Sequence, residues 1–323
     1  MTNQHWASVW GNAVSVAENR PERYAKDITI RYPINIPFSG TAVRLTFDNY
    51  CGTEPITLTK TTIFHGGEFY PVRFDAQQSV TIGAGETAVS DPLELAVTAG
   101  EMVQVSFYLG DFTLMRSVVY TCGPLSQGLY ANGDESQTAH ISLETSRPTH
   151  LNYFLSNVSV LTSAENRTVV CYGDSITAQD WPDYLALRCF REGFDHTAVI
   201  RRATSGSRIL REYSCLTYES YGLSGEHRFH HEVPTDGADA VIIQQGINDI
   251  IHPVGARNNA FRPMKDLPTV QELIDGCIDF DKALRDPERP DWFLPEYDSG
   301  DHLHPSKRGY ERMAMEVPAE LLK

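Results

Sequence analysis

The sequence predicts two fold classes in succession: an all-β, jelly-roll-like sandwich, then an α/β domain on a parallel sheet. Three observations carry this. Between about residues 25 and 160, apolar and polar residues alternate with period two in short runs broken by turn residues. From about 167, continuous apolar runs alternate with segments of helical spacing. A chain of 323 residues also exceeds what one ordinary core organises.

In the first half, Ile28-Thr29-Ile30-Arg31-Tyr32, Ala42 to Phe47 and Met102 to Tyr108 are rich in β-branched and aromatic residues, as strands are. Turn material separates them at Phe38-Ser39-Gly40, Asn49 to Gly52, His65-Gly66-Gly67 and Ala84-Gly85. In the second half, Thr168 to Tyr172, Ala198-Val199-Ile200 and Ala238 to Ile243 are expected to be buried strands. Trp181, Tyr184, Leu185, Leu187 and Cys189 recur at helical spacing. The boundary is placed in Ser163-Ala164-Glu165-Asn166, giving domains 1–163 and 164–323.

The composition, 41% hydrophobic and 21% charged, is that of an ordinary globular protein. A net charge of -15 argues against nucleic acid and anionic membrane surfaces, both of which require clustered Lys and Arg. No apolar stretch reaches the ~18 residues of a membrane span, so no membrane anchor is expected. Met1 to Trp6 shows no basic segment followed by an apolar one, so no signal peptide is expected. The six cysteines lack C-x-x-C spacing, and Cys171 and Cys189 sit within apolar patterns. A cytoplasmic location fits this best, although a trimmed secreted form has the same signature.

Gly173-Asp174-Ser175-Ile176 follows the apolar run Val169 to Tyr172, placing a serine where a buried strand enters a loop before a helix. Alone, this is better read as a strand-ending turn with a helix-capping serine. Three other segments change the balance. Gly246-Ile247-Asn248-Asp249 follows the strand ending near Gln245. In a parallel sheet the carboxyl ends of the strands share one rim, where ligands bind, so the Asn248 amide is expected near Ser175. Alternatively, Asn248 closes the strand in an Asx turn. Thr204-Ser205-Gly206-Ser207 follows the strand at 198–202, and Gly206 lets the backbone approach a ligand. Finally, Asp301-His302-Leu303-His304 supplies a carboxylate that can orient an imidazole, whose Nε2 then takes the serine proton. His302 is expected to point elsewhere. No convincing set of metal ligands stands out, and the histidines in Glu226 to His231 are expected on a solvated helical segment.

These blocks, in this order, resemble the SGNH (GDSL) hydrolase family over residues from about 167 to 323. The resemblance implies a flavodoxin-like three-layer α/β fold with Ser175 as nucleophile, His304 as base and Asp301 as orienter. It also implies an oxyanion hole formed by the N–H groups of Ser175 and Gly206 and the Asn248 side chain, with no cofactor and no metal. The first half is similar to the β-rich domain preceding some bacterial members, on Val43 to Asn49, Ile82 to Gly85 and Ser90 to Leu93.

Two departures stand out. Arg201-Arg202-Ala203 occupies the stretch where the family usually has an Asn. Only residues 249–300 separate Asn248 from Asp301, and Thr269 to Gly276 runs almost directly into Cys277 to Phe280. Parallel strands require a long crossover, so a β-α unit is expected to be missing near 275–277. A deletion, a sequence error and a compact variant all fit. Trp181 and His252-Pro253 are candidates to line the pocket, with a core role slightly preferred for Trp181.

The expected activity is hydrolysis of small acyl esters, first of all O-acetyl groups on carbohydrates. The alternatives are a lipolytic enzyme (lysophospholipase or thioesterase) and a catalytically impaired glycan-binding protein. The expected partner is a small-molecule or carbohydrate ester, and homo-oligomer formation is left open.

Overall fold

A computed structural model of the protein describes residues 3–15, 24–212, 221–254 and 280–322. The β-α unit expected to be missing near 275–277 lies outside the described residues, as do Cys215 and Cys277.

The first half forms two antiparallel sheets. One has the order Gln4–Gly11, Leu155–Ser163, Gly40–Asp48, Leu93–Val97, with Thr87–Val89 also on Gly40–Asp48. The other runs Ser146–Thr149, Gly128–Asn132, Ile28–Asn35, Met102–Leu109, Lys60–His65, Glu68–Val72. The sheets share a core in which Phe47 of the first meets Phe107 of the second edge to face, centroids 5.2 Å apart. Each such ring contributes roughly 1.5–3 kcal/mol through burial. The alternation in Ile28–Asn35 predicts one wet face, yet Thr29 and Arg31 are buried as well. Residues around 133–139 cover that face, and Arg31 donates to the carbonyls of Glu135 (3.0 Å) and Ala139 (3.4 Å).

In the second half Arg167–Gly173 is the centre of a parallel sheet, between Thr197–Ala203 and Ala238–Gln244. The helices Trp181–Glu192 and Lys307–Glu316 pack on one face, with Trp181, Leu185 and Met313 buried against Cys171. Phe229 and Val233, at the helix Gly225–Glu232, pack on Val170, Tyr172 and Ile200 of the other face.

The flavodoxin-like three-layer α/β expectation is corrected by this architecture. Strands account for 41% of the structure and helices for 18%, most sheets are antiparallel, and no barrel closes. Among the described residues the parallel sheet has three strands. The physical sign is at Ala238–Gln244, which the sequence presents as buried on both faces. Val241 is 37% exposed and Ile243 56% exposed, because the core on the Gly225–Glu232 helix side takes in the central strand and Thr197–Ala203 but not this strand.

The halves are joined by buried and partly buried polar contacts. Arg202, at the end of its strand, donates to the carbonyls of Asn12 (2.5 Å) and Ser156 and to Asn157 Oδ1 (3.0 Å). Asp236 accepts from Arg44 and Ser159, both at 2.6 Å.

Candidate active site

The register Gly173↔Ala203 and Gly173↔Gln244 ends the three parallel strands in line. The segments carrying Ser175, Gly206 and Asn248 therefore leave the sheet at one rim. Packing at this rim is tight. A Cβ on Gly173 would stand 2.1 Å from the Gln244 carbonyl and 2.3 Å from Thr177 Oγ1, so only glycine fits.

Ser175 opens the short helix Ser175–Ala178, but it does not cap it. The cap is Asp174, whose carboxylate accepts from the Ile176 N–H at 3.0 Å. That frees the Ser175 hydroxyl, which lies 3.1 Å from His304 Nε2. Asp174 itself is fully buried, and its Oδ2 has no hydrogen-bond partner. Burial pushes this carboxyl up to about 7, against the pull of the Ile176 N–H and of Arg228.

His304 sits on the loop before the helix Lys307–Glu316, which Ser306 caps by accepting from the Gly309 N–H. Its Nδ1 lies 2.7 Å from Asp301 Oδ2. Asp301 also accepts from the N–H groups of Leu303 (3.0 Å) and His304 (2.8 Å) and from the Ser299 hydroxyl (2.9 Å). Partial burial pushes the Asp301 carboxyl up, but these donors outweigh it and hold the group well below the usual carboxylate range. An ionised Asp301 accepts only, so Nδ1 carries the proton and Nε2 is left to accept from Ser175. His302 points to a different partner, with Nδ1 on Asp298 and its ring against Trp292.

Gly206 has φ of 79°, and a Cβ there would lie 1.9 Å from the Tyr221 ring. Its loop is held from behind. The Asn248 amide donates to the Ser207 carbonyl (3.1 Å), and Gln245 donates to Ser207 Oγ (3.0 Å) and the Arg208 carbonyl (3.1 Å). Asp249 Oδ2 accepts from the Ile209 N–H at 2.8 Å. One Asn248 N–H is therefore committed to the loop, and the second remains for another acceptor.

Trp181 is fully buried against Phe280 in the helix-side core. The helix containing His252 and Pro253 is Ile247–Val254, and their side chains lie outside the described residues. Glu226 to His231 is not simply solvated. Arg228 is 0% exposed, and His231 Nε2 bonds Asp48 Oδ2 at 2.6 Å. Sequence reasoning missed Arg228 altogether. Arg201 and Arg202, which depart from the family pattern, are both buried, and Arg201 pairs with Asp183 at 2.8 Å. Among the described residues no group of His, Cys, Asp and Glu side chains gathers as metal ligands do.

No family model matches the chain, and no curated protein matches it. Solved structures it is similar to include three carbohydrate esterases. An acetyl xylan esterase from the rumen bacterium Butyrivibrio proteoclasticus matches at 8% identity and TM-score 0.24, covering 98% of this chain and 73% of that one. An active site mutant of a family two carbohydrate esterase from Clostridium thermocellum matches at 11% identity and TM-score 0.22, covering 77% and 70%. A family two carbohydrate esterase from Cellvibrio japonicus matches at 10% and 0.19, covering 77% and 69%. At TM-scores this low, these likenesses carry no argument about this chain's fold or activity.

Proposed function

We propose that the chain is a serine ester hydrolase of the SGNH type that removes small acyl groups, first of all acetyl groups from carbohydrate hydroxyls. The observation that carries this reading is the linear set Asp301–His304–Ser175, with separations of 2.7 and 3.1 Å. Both lie within hydrogen-bond reach, the requirement for an activated nucleophile.

In this mechanism Ser175 Oγ attacks the acyl carbon while His304 Nε2 takes its proton. The negative charge that develops on the carbonyl oxygen meets the N–H groups of Ser175 and Gly206 and the free N–H of Asn248. Collapse expels the sugar oxygen, which takes the proton from His304 and leaves the acyl group on Ser175. Water, deprotonated by His304, then releases the carboxylic acid and restores the serine. Asp301 stabilises the imidazolium in both halves and remains ionised.

The test uses full-length protein with p-nitrophenyl acetate, butyrate and octanoate, an acetylated oligosaccharide, and a fluorophosphonate probe. The expected result is labelling of Ser175, acetate release from the sugar, and rates that fall with acyl length. Ser175→Ala is expected to lose both hydrolysis and labelling. A preference for the octanoyl ester replaces the substrate assignment with a lipolytic one, and a protein inert to esters and probe overturns the enzyme reading.

A further inference from the structure

Arg228 is a guanidinium with no solvent exposure. A buried charge is tolerated only where its partners replace water, so where its donors go is informative. One arm pairs with Glu232, one helical turn further on. The other arm donates to the Gly173 carbonyl at 3.0 Å and to Ser207 Oγ at 3.4 Å. The plane lies over the Tyr172 ring, 4.7 Å from its centroid. The catalytic candidates occupy none of these contacts, yet both contacts of the second arm lie beside candidate segments. Gly173 precedes Asp174 and Ser175, while Ser207 follows Gly206 and its carbonyl holds Asn248. The Gly173 carbonyl also accepts from the Thr204 N–H at 3.1 Å, so the two loops meet at the atom Arg228 holds.

The opposite end of this cation's ion pair is anchored in the first half of the chain. Glu232 Oε1 accepts from the Val14 N–H at 3.1 Å, and its carbonyl accepts from Arg202 Nε at 2.9 Å. Arg202 in turn reaches the carbonyls of Asn12 and Ser156.

We propose that Arg228 is a positioning residue that fixes the Ser175 turn and the Gly206 loop against each other from behind the rim, with Glu232 tying the clamp to the N-terminal half. This rests on the serine hydrolase reading. A planar fork can hold a carbonyl and a hydroxyl while paired to a carboxylate, and the Lys ammonium, a single point charge on a flexible stem, cannot reproduce that geometry. On this account the N-terminal half contributes to turnover without touching substrate, by setting the register of the fork.

The test compares wild type, Arg228→Lys and Glu232→Gln as full-length proteins. It measures kcat and KM on p-nitrophenyl acetate, the rate of fluorophosphonate labelling of Ser175, and folding by circular dichroism and thermal melting. Misplacing a reacting group by about 1 Å costs up to roughly 100-fold in rate. Folded Arg228→Lys is therefore expected to lose roughly 10- to 100-fold in kcat with KM within about twofold, and to lose labelling rate by the same factor. Folded Arg228→Lys with wild-type kcat and labelling overturns the proposal and leaves Arg228 a packing residue. Should Arg228→Lys not fold, Glu232→Gln decides, with a several-fold kcat loss at constant KM supporting the clamp and a wild-type kcat overturning it. Wild-type protein inert to ester and probe overturns the hydrolase reading and the clamp together, whereas active wild type with unaffected variants overturns the clamp alone.

Discussion

Asp174 should make the protein lose stability as the pH rises from about 4 to about 7, and Asp174→Asn should abolish that loss. The carboxyl is fully buried and one of its oxygens has no partner. Its titration is raised from 3.8 to about 7. Between these two values the native chain holds a proton that the unfolded chain has released, so stability falls with rising pH across that window and is level above it. A shift of about 3 pH units corresponds to about 4 kcal/mol. In Asp174→Asn, the amide oxygen can still accept from the Ile176 N–H. The amide nitrogen then takes the unpartnered position, at a cost of about 1–3 kcal/mol that does not vary with pH. The variant is therefore expected to be less stable than wild type near pH 4 and to gain on it by up to about 4 kcal/mol by pH 8. Urea unfolding of both proteins at pH 4, 6 and 8 measures this directly. A stability difference that stays constant across that range refutes the raised titration and the buried, half-satisfied state of Asp174 from which it follows.

Asp301→Asn keeps the shape of the orienter but favours the wrong imidazole tautomer, so kcat on p-nitrophenyl acetate is expected to fall by roughly 10⁴. Because the Asp301 carboxyl is held below the usual range, it stays ionised as the pH falls to about 4. A pH–rate profile of wild type should accordingly show no loss above that pH that Asp301 protonation explains. Asn248→Ala removes both the free N–H and the bond to the Ser207 carbonyl. It is expected to lower kcat by roughly 10²–10³ with a much smaller effect on KM, and an unchanged kcat argues against Asn248 as an oxyanion donor.

The elements that were legible in the sequence are those fixed by short spacing. Ser175 follows a glycine and an acidic cap at the end of an apolar strand, and Asp301-x-x-His304 closes its hydrogen bond within a single loop. Such geometry needs no knowledge of distant partners. Arg228 was illegible for the opposite reason. Its helix, Gly225–Glu232, carries charged and histidine side chains on most of its surface and so has the pattern of a solvated element. Beyond Glu232, its partners lie far away in sequence, among them Gly173 and Ser207. Val241 and Ile243 err the other way, because an apolar run shows that a strand can be covered and not that anything covers it. The flavodoxin-like expectation failed on the same point. The resemblance to SGNH hydrolases rests on loops, and loops at a rim do not report how many strands lie beneath them.

A serine nucleophile has to stand out from the rim far enough to meet substrate, yet its turn cannot be free to wander. Here the exposed part is small. Gly173 leaves no room for a side chain between Gln244 and Thr177, Asp174 closes the turn by capping the helix, and Ser175 remains partly exposed. Apolar packing could stiffen that turn, but it is non-directional and would not distinguish one orientation of the Gly173 carbonyl from another. A hydrogen-bonded cation does distinguish them, and that offers a physical reason for a buried Arg228–Glu232 pair where an apolar pair of equal volume would be at least as stable. The same reasoning makes the double variant Arg228→Met with Glu232→Leu informative, since Arg228→Met alone would leave Glu232 buried without its cation. A variant that melts higher than wild type and yet turns over more slowly would separate the stability of this core from the precision of its nucleophile.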